Sequence, residues 1–278
     1  MSIFMSGIAE SEGEMKMMKK VAKIVLIACL ALSVTFVFTA CGSQSSSDEG
    51  GSYVAAMEPT FPPFDTTDDD GNLSGFDVDL LNAIAEDQGF TVEWKNMEFD
   101  GLISSLQSGN IDIVASGLSI TKERAEKVDF TDGYYESGLA LSVAKDNDTI
   151  TGIDDLNKDT IVGVQIGTSG AKKAEALKRE GKIAEVKTYN GLDVTFKDLE
   201  NGTIDAVIND LPVTKTYVSK QEDKLKIVGD TIDAEEYGIA VAKDNTELLD
   251  KLNAGLKNVK ENGTYDDLYK KWKLGEEE

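Results

Sequence analysis

The chain of 278 residues sets 28 Lys and Arg against 51 Asp and Glu, a formal net charge of −23, and this field repels a phosphate backbone and excludes nucleic acid as a partner. It has no histidine and only two cysteines, Cys29 and Cys41, which removes the commonest general base and the commonest zinc ligand and counts against triad hydrolases and zinc enzymes. With 41 % hydrophobic residues, the length supports one large domain or two lobes with real cores.

Lys16, Lys19, Lys20 and Lys23 precede an uncharged stretch from Ile24 to Ala40, and Phe38-Thr39-Ala40-Cys41 gives way to Gly42-Ser43-Gln44-Ser45-Ser46-Ser47-Asp48. A basic start, an apolar run, small residues and a polar tail define an export signal. The run is shorter than the about 20 residues that a permanent span needs. Residues 1–40 therefore read as a cleaved signal and 41–52 as a flexible tether. Residues 1–14 are acidic and lie upstream of the Lys cluster, which places the start of translation at Met15, Met17 or Met18. The last four residues of the signal region resemble the lipobox of bacterial lipoproteins, with Phe38 in place of the usual Leu. The resemblance implies a diacylglycerol on the thiol of Cys41, which becomes the first mature residue.

From Tyr53 onward, short apolar runs alternate with helical patterns, which predicts an α/β architecture with mostly parallel strands. The expected strands are 53–57, 91–94, 111–115, 139–143, 161–164, 186–189, 206–209, 226–228 and 238–242. Helical spacing is clear in Phe76-Leu80-Leu81-Ile84, in Leu102-Ile103-Leu106 before Gly109, and in Leu248-Leu249-Leu252-Leu256-Val259 before Gly263.

An internal repeat runs through this pattern. Leu106, Gly109, Ile111, Asp112, Val114, Leu118, Thr121 and Lys122 recur 93 positions later as Leu199, Gly202, Ile204, Asp205, Val207, Leu211, Thr214 and Lys215. Two similar lobes follow from it. In each copy a helix ends at Gly, an Ile-Asp-x-Val strand follows and a new helix begins, so the intervening residues face a crevice of the kind in which open α/β sheets bind ligands. Those residues are Ser116-Gly117-Leu118-Ser119 and Asn209-Asp210-Leu211-Pro212. Asp112 and Asp205, expected inside strands, read as structural.

Several stretches in order carry a family likeness: Phe61-Pro62-Pro63-Phe64, Gly75-Phe76-Asp77-Val78-Asp79-Leu80, Phe99-Asp100-Gly101-Leu102-Ile103, Ser119-Ile120-Thr121-Lys122-Glu123-Arg124, Val128-Asp129-Phe130-Thr131-Asp132-Gly133-Tyr134-Tyr135, Gly167-Thr168-Ser169, Asp205-Ala206-Val207-Ile208-Asn209-Asp210 and Gly263-Thr264-Tyr265. Over nearly the whole mature chain the sequence resembles the amino-acid-binding proteins of ATP-driven importers, and among them the glutamine-binding subgroup. The resemblance implies a two-lobed periplasmic-binding-protein type II fold, each lobe a mixed sheet flanked by helices. It places lobe 1 at 53–137 and 235–278 and lobe 2 at 138–234, joined by two hinge strands near 138–143 and 233–238. It also implies a monomer without cofactor or metal, held outside the cytoplasm by its lipid, that closes on a free amino acid and presents it to an ABC transporter permease. A ligand-presenting receptor for a sensor protein, or a dehydratase on the same fold, is the alternative reading.

The residues suit those roles. Arg124, one of two arginines, presents a fork that grips a carboxylate bidentately, although the nearby Glu123 and Glu126 are alternative partners. Gly167-Thr168-Ser169-Gly170 opens a helix, where free backbone N–H groups favour an anion, so Thr168 and Ser169 would complete the carboxylate grip. Asp210, with the Ser119 hydroxyl and the Gly117 carbonyl, would meet the three donors of an α-ammonium; a helix N-cap is the other reading of Asp210. Phe61 and Phe99 either sandwich the ligand's stem or belong to a lobe core. Glu58, Gln165 and Asn209 fall where the family varies its side-chain contacts. The glutamine-binding branch typically has Lys and His at the last two, which points away from glutamine. Glu58 suits an amide, a guanidinium or an ammonium, so a polar or basic L-amino acid is expected.

Overall fold

Ala55 and Ala56 face opposite layers of the core, the first among Phe76, Leu80 and Leu81, the second among Leu102 and Leu106. A strand buried on both faces belongs in the middle of a helix-covered sheet. That strand is β1 (Ser52–Met57) in a computed structural model that describes residues 51–275. The export signal, Cys41 and the expected start codons lie outside the described residues. Among the described residues no helix is long and apolar enough to cross a membrane.

β1 pairs in parallel with β4 (Thr91–Asn96) and β5 (Ile113–Val114). β12 (Ala240–Ala242) runs antiparallel to β5, and β6 (Val128–Phe130) antiparallel to β12. In the second sheet β8 (Ile161–Gln165) lies parallel to β9 (Glu185–Tyr189) and β10 (Ala206–Asp210), and β7 (Tyr135–Ala144) is antiparallel to both β10 and β11 (Leu225–Tyr237). The orders β4-β1-β5-β12-β6 and β9-β8-β10-β7-β11 thus share one pattern of strand directions. A small hairpin, β2 (Thr66–Thr67) with β3 (Leu73–Ser74), follows the β1 loop. The expected pair of mixed sheets is present.

Helices α1 (Phe76–Gln88), α2 (Leu102–Gln107), α7 (Thr246–Glu261) and α8 (Thr264–Lys271) belong with the first sheet, and α3 (Lys122–Ala125) follows its crevice loop. Helices α4 (Ser169–Arg179), α5 (Leu192–Glu200) and α6 (Leu211–Ser219) belong with the second. α2 and α5 both end ahead of a left-handed glycine, Gly109 at φ 72° and Gly202 at φ 69°. This conformation is cheap only without a Cβ, which explains two of the repeated identities. Asp112 and Asp205 sit in the bend just before β5 and β10, not inside the strands as expected. Their carboxylates accept from Val54 N at 2.8 Å and Ile161 N at 2.7 Å, so each ties its strand to the equivalent neighbour, β1 or β8.

Two departures from the expected strands have separate causes. β6 is a short edge strand with too few residues to show alternation. β11 runs on past the expected end at Val228, through register shifts between Val228 and Ala234, because the ten residues of β7 offer it a long partner. β7 and β11 are the strands through which the chain passes between the two sheets.

Beneath the loop after β1, Phe64, Phe76, Tyr134, Tyr135 and Tyr237 pack at ring-centroid distances of 4.8 to 6.2 Å. Two acids are buried here. Asp77 Oδ2 accepts from Gly117 N at 2.6 Å, whereas neither oxygen of Asp65 has a partner. Burial, then the carboxylates of Asp77 and Glu58, push Asp65 well above the carboxylate range, and burial pushes Asp77 up to about 7. A folded-state pKa raised above the unfolded value gives stability that is full at low pH and lost as pH rises toward the folded value. Asp65→Asn is therefore expected to raise the unfolding midpoint at pH 8 by roughly 2–4 °C or more, the response to about 1 kcal/mol in a domain of this size, and to change it little at pH 4. Calorimetry at both pH values checks this, and a lower midpoint at pH 8 contradicts the buried-charge account.

Candidate functional site

The carboxyl ends of β1, β5, β8 and β10 deliver Glu58, the loop from Ser116 to Ser119, the segment from Gln165 to Ser169, and Asp210 to one crevice between the sheets. All of the candidate polar side chains there except Ser169 are buried. Hydrogen bonds join the two sides directly across it.

Arg124 is carried by the one-turn α3, whose start is fixed by Thr121: its hydroxyl accepts from Arg124 N at 3.2 Å. The guanidinium donates from Nη1 to Ser119 O at 2.8 Å and from Nη2 to Gly167 O at 3.1 Å, and lies 5.4 Å from the Phe99 ring centroid. Burial lowers its pKa, opposed chiefly by the Asp210 and Glu235 carboxylates, but the group stays cationic. Among the described residues it forms no ion pair. Glu123 instead pairs with Lys172 at 2.6 Å and Lys127 at 3.3 Å on the surface, and Arg124 has N–H groups left for an anion.

Thr168 caps α4, accepting from Ala171 N at 3.1 Å while its own hydroxyl donates to Gln165 O at 2.7 Å. The backbone N–H groups of Ser169 and Gly170 precede the first helical bond of α4 and have no acceptor within the helix. Gly167, at φ 81°, lies so close to Asp100 of the first sheet's side that a Cβ would stand 3.1 Å from that residue's Cβ.

Asp210 is buried at the start of α6 but does not cap it through its side chain. Its Oδ1 accepts from the Tyr237 hydroxyl at 2.7 Å. Burial and the nearby Glu235 carboxylate raise its pKa to about 7, against the lowering pull of Tyr237 and Arg124. Glu235 Oε2 accepts the hydroxyls of Ser119 at 2.8 Å and Ser169 at 2.9 Å, one from each side of the crevice.

Glu58 Oε2 accepts from Thr60 Oγ1 at 2.8 Å and, across the crevice, from Gln165 Nε2 at 2.9 Å. The same Nε2 donates to Asn190 O at 2.8 Å, which fixes the amide orientation and leaves Gln165 Oε1 buried without a partner. Burial raises the Glu58 pKa, partly offset by these bonds. Asn209 stands apart from this group: its amide nitrogen reaches Asp210 O at 3.3 Å and Thr214 Oγ1 at 3.4 Å in the first turn of α6. The Phe61 ring packs against Gly117, where a Cβ would meet its Cε1 at 2.3 Å, and Gly117 has φ 49°, so this position admits only glycine comfortably. Both rings remain on the crevice loops, Phe61 next to Phe64 and Tyr237, Phe99 under Arg124.

Residues 53–276 match the profile of the bacterial extracellular solute-binding proteins, family 3. The chain belongs to that family. Similar members include a probable histidine-binding protein of Neisseria gonorrhoeae, 34 % identical over 93 % of this chain and 96 % of its own length. An arginine-binding periplasmic protein of Mannheimia haemolytica is 37 % identical over 80 % of this chain and 91 % of its own. A solved structure of an ancestral arginine-binding protein bound to arginine is 44 % identical, superimposes with a TM-score of 0.77 and covers 80 % of this chain and 98 % of that one.

Within this family 3 protein, four crevice residues escaped the sequence reading: Thr60, Tyr217, Glu235 and Tyr237. The Tyr217 hydroxyl donates to Thr60 O at 2.8 Å, and Thr60 Oγ1 accepts from Leu192 N at 2.9 Å, so Thr60 stitches the two sides together. The repeat held one signal: 93 positions beyond Arg124 stands Tyr217. Because the Tyr237 hydrogen bond lowers the Asp210 pKa, Tyr237→Phe is expected to move the Asp210 titration upward from about 7. Carboxyl carbon-13 NMR follows it, and an unchanged or lower midpoint would show that the bond does not stabilise the ionised form.

Proposed function

We propose that the protein captures a free cationic L-amino acid, arginine ahead of lysine or histidine, between its lobes and delivers it to an ABC importer. The observation that carries this reading is the charge balance of the crevice: Glu58, Asp210 and Glu235 converge on a site whose one cation is Arg124 among the described residues. A zwitterion leaves that excess of negative charge in place; an additional positive charge on the side chain offsets it. The far end adds chemistry to charge. Glu58 and the unpartnered Gln165 Oε1 together want a group rich in N–H donors, and a guanidinium carries five in a planar fork against three on an ammonium and two on an amide. Relatives described as arginine-binding and histidine-binding support the same choice.

In this reading Arg124 and the first-turn N–H groups of α4 hold the α-carboxylate, Asp210 the α-ammonium with Ser119 and the Gly117 carbonyl, and Phe61 and Phe99 flank the stem. Lobe 1 comprises 53–137 and 235–278, lobe 2 comprises 138–234, and β7 with β11 form the hinge. Closure is then a population shift driven by contacts the ligand makes to both lobes at once. The protein acts without cofactor or turnover, as a monomer outside the cytoplasm, tethered by a lipid on Cys41.

Thermal shift across the twenty amino acids tests the ligand, since a hundredfold excess over Kd adds about 2.7 kcal/mol of stability. Arginine is expected to give the largest shift; a larger one with glutamine or glutamate sinks the charge argument. Calorimetric titration with arginine should show Arg124→Ala and Asp210→Ala each losing at least about 100-fold in affinity with the fold intact, as removal of one member of a buried charge pair does. Retained affinity in both variants overturns the assignment. Asp210, at about 7, must give up its proton to accept an ammonium, so wild-type affinity should fall as pH drops through about 7, approaching about tenfold per pH unit.

A further inference from the structure

Glu235 lies on β11 opposite Ser137 of β7, and an isolated antiparallel bridge between Ser119 and Tyr237 lays the crevice loop alongside it. One oxygen, Oε2, accepts from Ser119 Oγ at 2.8 Å and Ser169 Oγ at 2.9 Å. An ionised carboxylate only accepts, and a hydroxyl has a single proton, so the direction of both bonds is fixed. Each serine has committed its proton to Glu235 and keeps only lone pairs for anything else. The Tyr237 hydroxyl is committed in the same way, donating to Asp210 Oδ1 at 2.7 Å while accepting from Ser137 Oγ at 3.1 Å.

We propose that Glu235 sets the hydrogen-bond polarity of the crevice, taking the protons of Ser119 and Ser169 so that both hydroxyl oxygens face the ligand as acceptors for its α-ammonium. With Asp210 and the Gly117 carbonyl they surround the three ammonium donors with acceptors alone. The ligand's carboxylate is left to groups that cannot reverse their direction, the Arg124 guanidinium and backbone N–H groups of α4. Ser169 thereby changes role from the sequence reading: its backbone N–H serves the carboxylate and its hydroxyl the ammonium. Glu235 is a positioning residue that makes the crevice selective for α-amino over α-deamino acids. This rests on the amino-acid-binding reading above.

The test compares L-arginine with 5-guanidinopentanoic acid, the same molecule without its α-amino group, by calorimetry on wild type, Glu235→Gln and Ser169→Ala. A glutamine amide can donate to a serine oxygen and so frees the hydroxyl to turn its proton to the ligand. Wild type is expected to prefer arginine strongly; Glu235→Gln should narrow that preference at least tenfold, mainly by weakening arginine. Ser169→Ala should weaken arginine more than the deamino acid. If Glu235→Gln weakens both ligands by the same factor, Glu235 only supports closure and the proposal fails. If wild type binds no arginine, the ligand reading fails and takes the proposal with it. If wild type binds arginine without preferring it to the deamino acid, the proposal alone falls.

Discussion

Arg124 is a permanent cation removed from water, with carboxylates near enough to act on it but none, among the described residues, within ion-pair distance. Burial of an unpaired charge is among the most unfavourable arrangements a fold can hold, and it persists only where neutral dipoles replace the lost hydration. Here those dipoles are two backbone carbonyls, Ser119 O from the loop after β5 and Gly167 O from the loop after β8, with the Phe99 ring as a third wall. Because the two carbonyls come from opposite sheets, the guanidinium is fully solvated by protein only when the two sides meet. Much of the crevice follows from this constraint, including the glycine at 167, which lets the carbonyl come within reach of Arg124, and the α4 N-terminus just beyond it.

The surrounding acids reinforce it. Asp65, Asp77, Glu58 and Asp210 all have pKa values raised chiefly by burial; Asp65 feels Asp77 and Glu58, and Asp210 feels Glu235. Burial thus disfavours the ionised form of each of these acids. Asp77 also holds Gly117 N, so the loop that presents Gly117 and Ser119 is oriented from below by the same buried charge that shapes the field above.

The main layers of the fold were legible because they rest on periodicity and punctuation: paired apolar strands, helices α1, α2 and α7, and the two left-handed glycines. The crevice loops were legible through the repeat. What escaped depends on pairing at long range. Glu235 sits in Asp233-Ala234-Glu235-Glu236, an acidic run that reads as solvated surface, and only the β7 pairing and the Ser119–Tyr237 bridge turn its carboxylate toward two serines. Thr60 looks like a loop residue until Leu192 N and the Tyr217 hydroxyl, more than 130 positions away, arrive on it. Asn209 shows the converse. Its place in the repeat is a crevice position, yet its amide nitrogen turns into the first turn of α6, a choice of rotamer that spacing does not encode.

The two sheets repeat one another in strand order and direction, and the equivalent bonds from Asp112 and Asp205 show that the likeness reaches individual side chains. A frame of that kind is nearly blind to which way round a bound molecule lies. Direction enters through the positions where the copies diverged: across the 93-residue offset Arg124 corresponds to Tyr217, and Asp210 to Gly117. One copy kept a cation where the other has a phenol, and one an acid where the other has bare backbone. In the proposed binding mode the ligand's orientation is thus written as a broken symmetry, and an exchange of residues at these two pairs would be the shortest route to a crevice that reads the same molecule in reverse.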